Sequence, residues 1–128
     1  AGPKNYLGLT VNGFPNLFTI TGPGSPSVLS NMIVAIEQHV NFIANLLEFM
    51  LKNDKEKVES NLNAENNWVE LVNNIAGQTL YTSGCNSWYI GANIPGKPSV
   101  FMPYIGFPSY VEKCNEIVKD SYRGFEFS

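Results

Sequence analysis

Charge is what this sequence has least of. Lys, Arg, Asp and Glu make up 15% of its 128 residues, against about a quarter in an ordinary soluble domain. The few cationic side chains form no stripe and the net charge is −3, so nothing neutralises a phosphate backbone and nucleic acid is excluded as a partner. His39 is the only histidine, and Cys85 and Cys114 show neither CxxC spacing nor a histidine cluster beside them. No metal site and no Ser-His-Asp set can be argued from that inventory. A disulfide between the two cysteines is the minor alternative, because nothing else looks secreted. Ala1-Gly2-Pro3-Lys4 has no apolar run behind it, and no Asn-x-Ser/Thr sequon occurs. Met32–Leu51 has the length of a membrane span, but Glu37, Gln38, His39, Asn41, Asn45 and Glu48 interrupt it. The expected setting is reducing and cytoplasmic, with no membrane. The chain opens on Ala1 rather than methionine, which agrees with a start inside a longer protein.

Apolar side chains are plentiful, at 44% of residues with 12% aromatic. A chain this size is one domain or a piece of one. With so little charge it carries more apolar surface than it hides alone, the pattern of a segment that packs against more protein. An isolated segment of this kind is expected to dimerise or swap strands to cover that surface.

The pattern predicts its elements in order. Leu17–Thr21 is a β-branched and aromatic run suited to a buried strand. Gly22-Pro23-Gly24-Ser25-Pro26 stops it, since proline lacks the amide and glycine opens unusual dihedrals. Ser30 or Asn31 then caps a long helix with Ile33, Ile36, Val40, Ile43, Leu47 and Met50 as its core face. Val58–Leu62 reads as a short strand or a linker, and Asn63 as the cap of a second helix lined by Trp68, Leu71, Val72, Ile75 and Ala76. Ser87–Ile90 and Val100–Met102 read as extended pieces in a glycine- and proline-rich region. Pro108 suits the first turn of a third helix that buries Val111, Cys114, Ile117 and Val118. Tyr122–Phe127 closes as a strand. The class is α/β or α+β, without the repeated βαβ units of a complete dinucleotide fold.

The junction from Leu17 to the helix start is the first functional pointer, because ligands dock where a strand end meets free helix-start amides. Gly22-Pro23-Gly24-Ser25-Pro26-Ser27 is not a phosphate-binding fingerprint: the third glycine is missing and prolines occupy the turn. His39 reads as a packed or hydrogen-bonded structural histidine. Glu37 and Glu48 lie too far apart on one helix to form an acid–base pair. Trp88, beside a glycine-rich loop, reads first as a core residue and second as a ligand-stacking one, with Lys97 near enough in sequence to meet an anion.

Longer motifs add to this. GPGSPSVLSNM, IEQHV, SWYIGANIPGKP, FMPYIG and YRGF, in this order, resemble the C-terminal part of type I Baeyer–Villiger monooxygenases of the phenylacetone, steroid and cyclohexanone group. The resemblance runs from YLGLTVNGFPNLF to YRGFEF. It implies that residues 1–128 are a single segment, the C-terminal part of a Rossmann-like FAD-binding domain. It implies a flavoenzyme that uses FAD, NADPH and O₂ to insert one oxygen beside a ketone carbonyl, giving an ester or lactone. Met32 matches a position that contacts the flavin ring through its backbone, with Asn31 a neighbour. Ser27, Val28 and Leu29 match the loop lining the ketone pocket, and Trp88 matches a tryptophan that contacts NADP. No catalytic residue falls in the segment: both GxGxxG fingerprints, the FxGxxxHxxxW-type signature and the arginine that supports the oxygen chemistry are absent. Gly106-Phe107-Pro108 departs from the glycine pair of relatives. The segment alone is therefore expected to be inactive and to need the remainder of the monooxygenase chain as its partner. The alternative is a stand-alone non-catalytic module, or one subunit of a split enzyme, that binds a partner chain or an apolar ligand.

Overall fold

The computed structural model describes residues 3–27, 30–80 and 102–128. Three helices carry it: α1 (Met32–Lys52), α2 (Leu62–Gly77) and α3 (Phe107–Lys119). Two short strands, β1 (Val58–Ser60) and β2 (Phe125–Phe127), pair antiparallel with Val58 opposite Phe127 and Ser60 opposite Phe125. This is a small α/β arrangement in which the described residues hold no parallel strand pair.

Each helix start has a local cause. Asn31 is extended and its side-chain oxygen accepts from the amides of Ile33 and Val34, satisfying donors that the first turn cannot pair internally. Asn61, not Asn63, does the same for α2, accepting from Asn63 and Ala64. The cap lies two residues earlier because β1 ends at Ser60 and leaves Asn61 as the first residue free to turn. Gly106 opens α3 with φ +108°, and Pro108 occupies its first turn, where a missing amide costs nothing.

The expected Leu17–Thr21 strand does not form. Phe18 makes one isolated antiparallel bridge to Thr10, and the segment is bounded by left-handed residues, Asn16 at φ +61° and Thr21 at φ +53°. A run fenced by two such turns is too short to build a ladder. It docks instead on the Tyr6–Thr10 loop, where the Thr19 amide donates to Leu9 O at 2.8 Å and the Gly22 amide to Gly8 O at 3.1 Å. A Cβ on Gly8 would lie 2.4 Å from that of Ser25, and one on Gly22 would lie 2.6 Å from Gly8 O. The two turns meet backbone to backbone because neither glycine carries a side chain.

The core centres on aromatics. Trp68 stacks on Tyr104 at 5.3 Å and 11° and meets Tyr6 and Tyr110 edge-on. Phe42 packs on Tyr122 and Phe125. On α1 the buried face is Ala35, His39, Phe42, Leu46 and Met50, not the expected Ile33-to-Met50 stripe. Of that stripe only Met50 is buried, while Ile33 is 72% exposed, Val40 50% and Leu47 43%. At 100° per residue the covered and open faces lie about 120° apart around the helix. Among the described residues no helix is long and apolar enough to cross a membrane.

Candidate functional site

The junction between Thr21 and Met32 is held from three sides. Gly24 O accepts from the Trp68 indole nitrogen at 3.1 Å. The Tyr104 amide donates to Ser25 O at 2.9 Å, and the Ser25 hydroxyl donates to Gly22 O at 2.8 Å. Ser25 and Pro26 are fully buried. At the front of the turn the Thr21 amide donates to His39 Nδ1 at 3.0 Å. At its far end Ser27 is half-buried with φ +44°, and both the amide and the hydroxyl of Ser30 donate to Ser27 O at 3.2 Å.

His39 is completely buried. Because Nδ1 accepts from an amide, its proton sits on Nε2. That nitrogen lies 2.9 Å from Tyr110 Oη, which itself donates to Leu7 O at 2.8 Å. The chain of bonds is therefore Thr21 amide to His39, His39 to Tyr110, Tyr110 to Leu7. Burial pushes the imidazole down to about 4, because the charged form loses its hydration there. Burial pushes the Cys114 thiol up to about 11 and Tyr110 well above its usual value. Cys114 is a buried free thiol; Cys85 lies outside the described residues.

The helix start is more selective than its sequence suggests. Asn31 Oδ1 takes the amides of Ile33 and Val34, and Asn31 O takes that of Ala35. Of the amides from Met32 to Ala35, only the Met32 N–H has no acceptor among the described residues.

No family model matches the chain. Individual proteins do. Cyclohexanone 1,2-monooxygenase of Acinetobacter is 36% identical over 126 residues, covering 98% of this chain and 23% of its own length. A Baeyer–Villiger monooxygenase of Pseudooceanicola batsensis is 35% identical over 94% of the chain and 22% of its own. Among solved structures, an oxidised steroid monooxygenase bound to NADP superposes with TM-score 0.88 at 41% identity, over 98% of this chain and 23% of that one. OTEMO in complex with FAD and NADP gives 0.87 at 30%, over 99% and 23%. The chain is a homologue of one segment of the Baeyer–Villiger monooxygenases. It spans about a quarter of the length of these relatives.

Of the residues that the monooxygenase resemblance singles out, Ser27, Asn31 and Met32 lie together along the turn and helix start, with Asn31 and Met32 exposed. Val28, Leu29 and Trp88 lie outside the described residues. None of the three described positions lines either larger surface groove, one of about 340 Å³ between α2 and α3 and one of about 380 Å³ between α1 and α3. Among the described residues no cluster of three metal-ligating side chains occurs. The sequence reading missed Trp68 as an anchor of the turn, and missed Tyr104 and Tyr110 altogether. For Tyr110 a signal existed: it stands at i−4 and i−7 from Cys114 and Ile117, the three residues that α3 buries.

Proposed function

We propose that this chain is the C-terminal part of the FAD-binding domain of an FAD- and NADPH-dependent Baeyer–Villiger monooxygenase. That enzyme inserts one atom of O₂ beside a ketone carbonyl to give an ester or lactone, in a cytoplasmic setting. The observation that carries this reading is the similarity to cyclohexanone and steroid monooxygenases along 98% of the chain. The open apolar face of α1 supports it, since Ile33, Val40, Leu47 and Leu51 suit a surface that further protein covers.

The residues fit the cofactor they would meet. The Met32 N–H, which has no acceptor among the described residues, suits the carbonyl edge of a flavin ring, and the helix-start field favours an electron-rich acceptor there. Asn31 would act through its cap, fixing the direction of that amide. Ser27, Val28 and Leu29 would line the ketone pocket, and Trp88 would meet NADP. Flavin, when bound and reduced by NADPH, supplies the oxygen chemistry. What this segment adds is position: a pinned turn beside a pinned helix start.

Ketone-dependent NADPH oxidation by the complete polypeptide tests the proposal, with the product read by mass. A product one oxygen heavier than cyclohexanone or a steroid ketone is expected. NADPH oxidation that no ketone accelerates, with no such product, overturns it.

A further inference from the structure

We propose that His39 is a positioning residue for the Gly22–Ser27 turn. It fixes where the ketone-pocket loop sits relative to the helix start that presents the Met32 amide. The pocket clause rests on the function proposed above; the clause about the turn does not.

Three observations carry it. First, Thr21, the last residue before the turn, is β-branched yet left-handed at φ +53°. That conformation is unfavourable for such a side chain and persists only where surroundings hold it. Second, the Thr21 amide donates to a side-chain acceptor, His39 Nδ1, in a partly buried place where a donor left without an acceptor is costly. Third, His39 is not free to tilt. Its other nitrogen is tied through Tyr110 to Leu7 O, and the Tyr110 ring meets the imidazole edge-on at 5.6 Å. His39 and Met32 stand seven residues apart on α1, about two helical turns. One helix thus carries both the Met32 amide and the acceptor for the front of the turn. The opposite side is fixed by Trp68 on Gly24 and Tyr104 on Ser25. Of these anchors, only His39 connects the turn directly to α1.

The two imidazole nitrogens separate by substitution. His39→Asn puts an amide oxygen where Nδ1 stands and can keep the Thr21 bond. His39→Gln puts polar atoms near Nε2 and a carbon near Nδ1, so it keeps the Tyr110 side and drops Thr21. In the complete flavin-loaded chain, amide-resolved hydrogen exchange is expected to speed up at Thr21 by about ten-fold or more in His39→Gln and to stay within about three-fold in His39→Asn. The ketone KM is expected to rise about ten-fold in His39→Gln alone, with NADPH KM and flavin content unchanged. Unchanged Thr21 exchange in His39→Gln, or equal effects of the two variants, overturns the proposal. If Thr21 exchange responds but no ketone is oxidised even by wild type, the functional reading fails and the positioning role stands. Should His39→Gln fail to fold, Tyr110→Phe decides. It releases the Nε2 side while leaving the Nδ1 acceptor in place, so Thr21 exchange is expected to stay within about three-fold, as in His39→Asn, and a rise of about ten-fold there overturns the role of Nδ1.

Discussion

The two long faces of α1 are both apolar, yet only one is covered. Leu46 is fully buried while its neighbour Leu47 is 43% exposed. His39 is buried and bonded to Thr21 and Tyr110, while Val40 beside it is half open. A helix that leaves a second apolar stripe open beside its covered one suits a segment that packs against further protein. The difference separates two jobs: the inner face holds this segment together and places the turn, and the outer face, on our reading, meets the rest of the monooxygenase.

The sharpest way to break this comparison is at adjacent leucines. Leu46→Ala should destabilise the fold by about 2–5 kcal/mol through lost burial and a residual cavity, read by denaturant unfolding. The inner face also predicts a pH effect. His39 sits near 4 in the folded state against an ordinary 6.5, so between those values the unfolded chain binds the extra proton. Stability from neutral His39 is complete above about pH 6.5 and is lost as pH falls toward 4, roughly 3 kcal/mol in all. The groups facing His39 do not titrate in that window: the Thr21 amide carries no charge, and Tyr110, with Cys114 behind it, is held neutral by burial. Unfolding free energy measured across this range should fall more steeply for wild type than for His39→Asn.

A smaller effect tests the helix start. Asn31→Ala removes the acceptor for two amides and should cost about 1 kcal/mol, visible as a lowered Tm. It also sharpens the site reading, because a freed helix start should loosen any flavin held at Met32. Smallest of all, Leu47→Ala should change the stability of the 128-residue chain by no more than about 0.5 kcal/mol. In the complete polypeptide the same change should cost more, because the outer face is then covered. Equal effects in both would remove the outer face from the account.

Much of the order of elements was legible in the residues. The cap at Asn31, one of two candidates with Ser30, and Pro108 at the start of α3 follow from local chemistry that tertiary packing leaves alone. Of the expected closing strand Tyr122–Phe127 only Phe125–Phe127 forms, because Tyr122 is left-handed at φ +60°. What failed did so for identifiable reasons. The core face of α1 was misread because apolar residues repeat at helical spacing on both sides, and periodicity cannot say which stripe this segment covers. The Leu17–Thr21 strand was misread because propensity does not register two left-handed residues at its ends. His39 was rightly read as a buried, hydrogen-bonded histidine. Its partners were invisible, since Thr21 is 18 residues away and Tyr110 is 71. The pairing at the helix start was hidden for a similar reason: the sequence shows a cap but not that Asn31 Oδ1 takes the amides of Ile33 and Val34 and not that of Met32.

The measurement that tests the central claim most directly is the intact mass of the native polypeptide, taken with its visible absorption spectrum. The account predicts a chain about four times longer than these 128 residues, as the relatives' coverage implies, carrying bound oxidised flavin. A native chain of this length with no flavin and no flavin-bearing partner would contradict it.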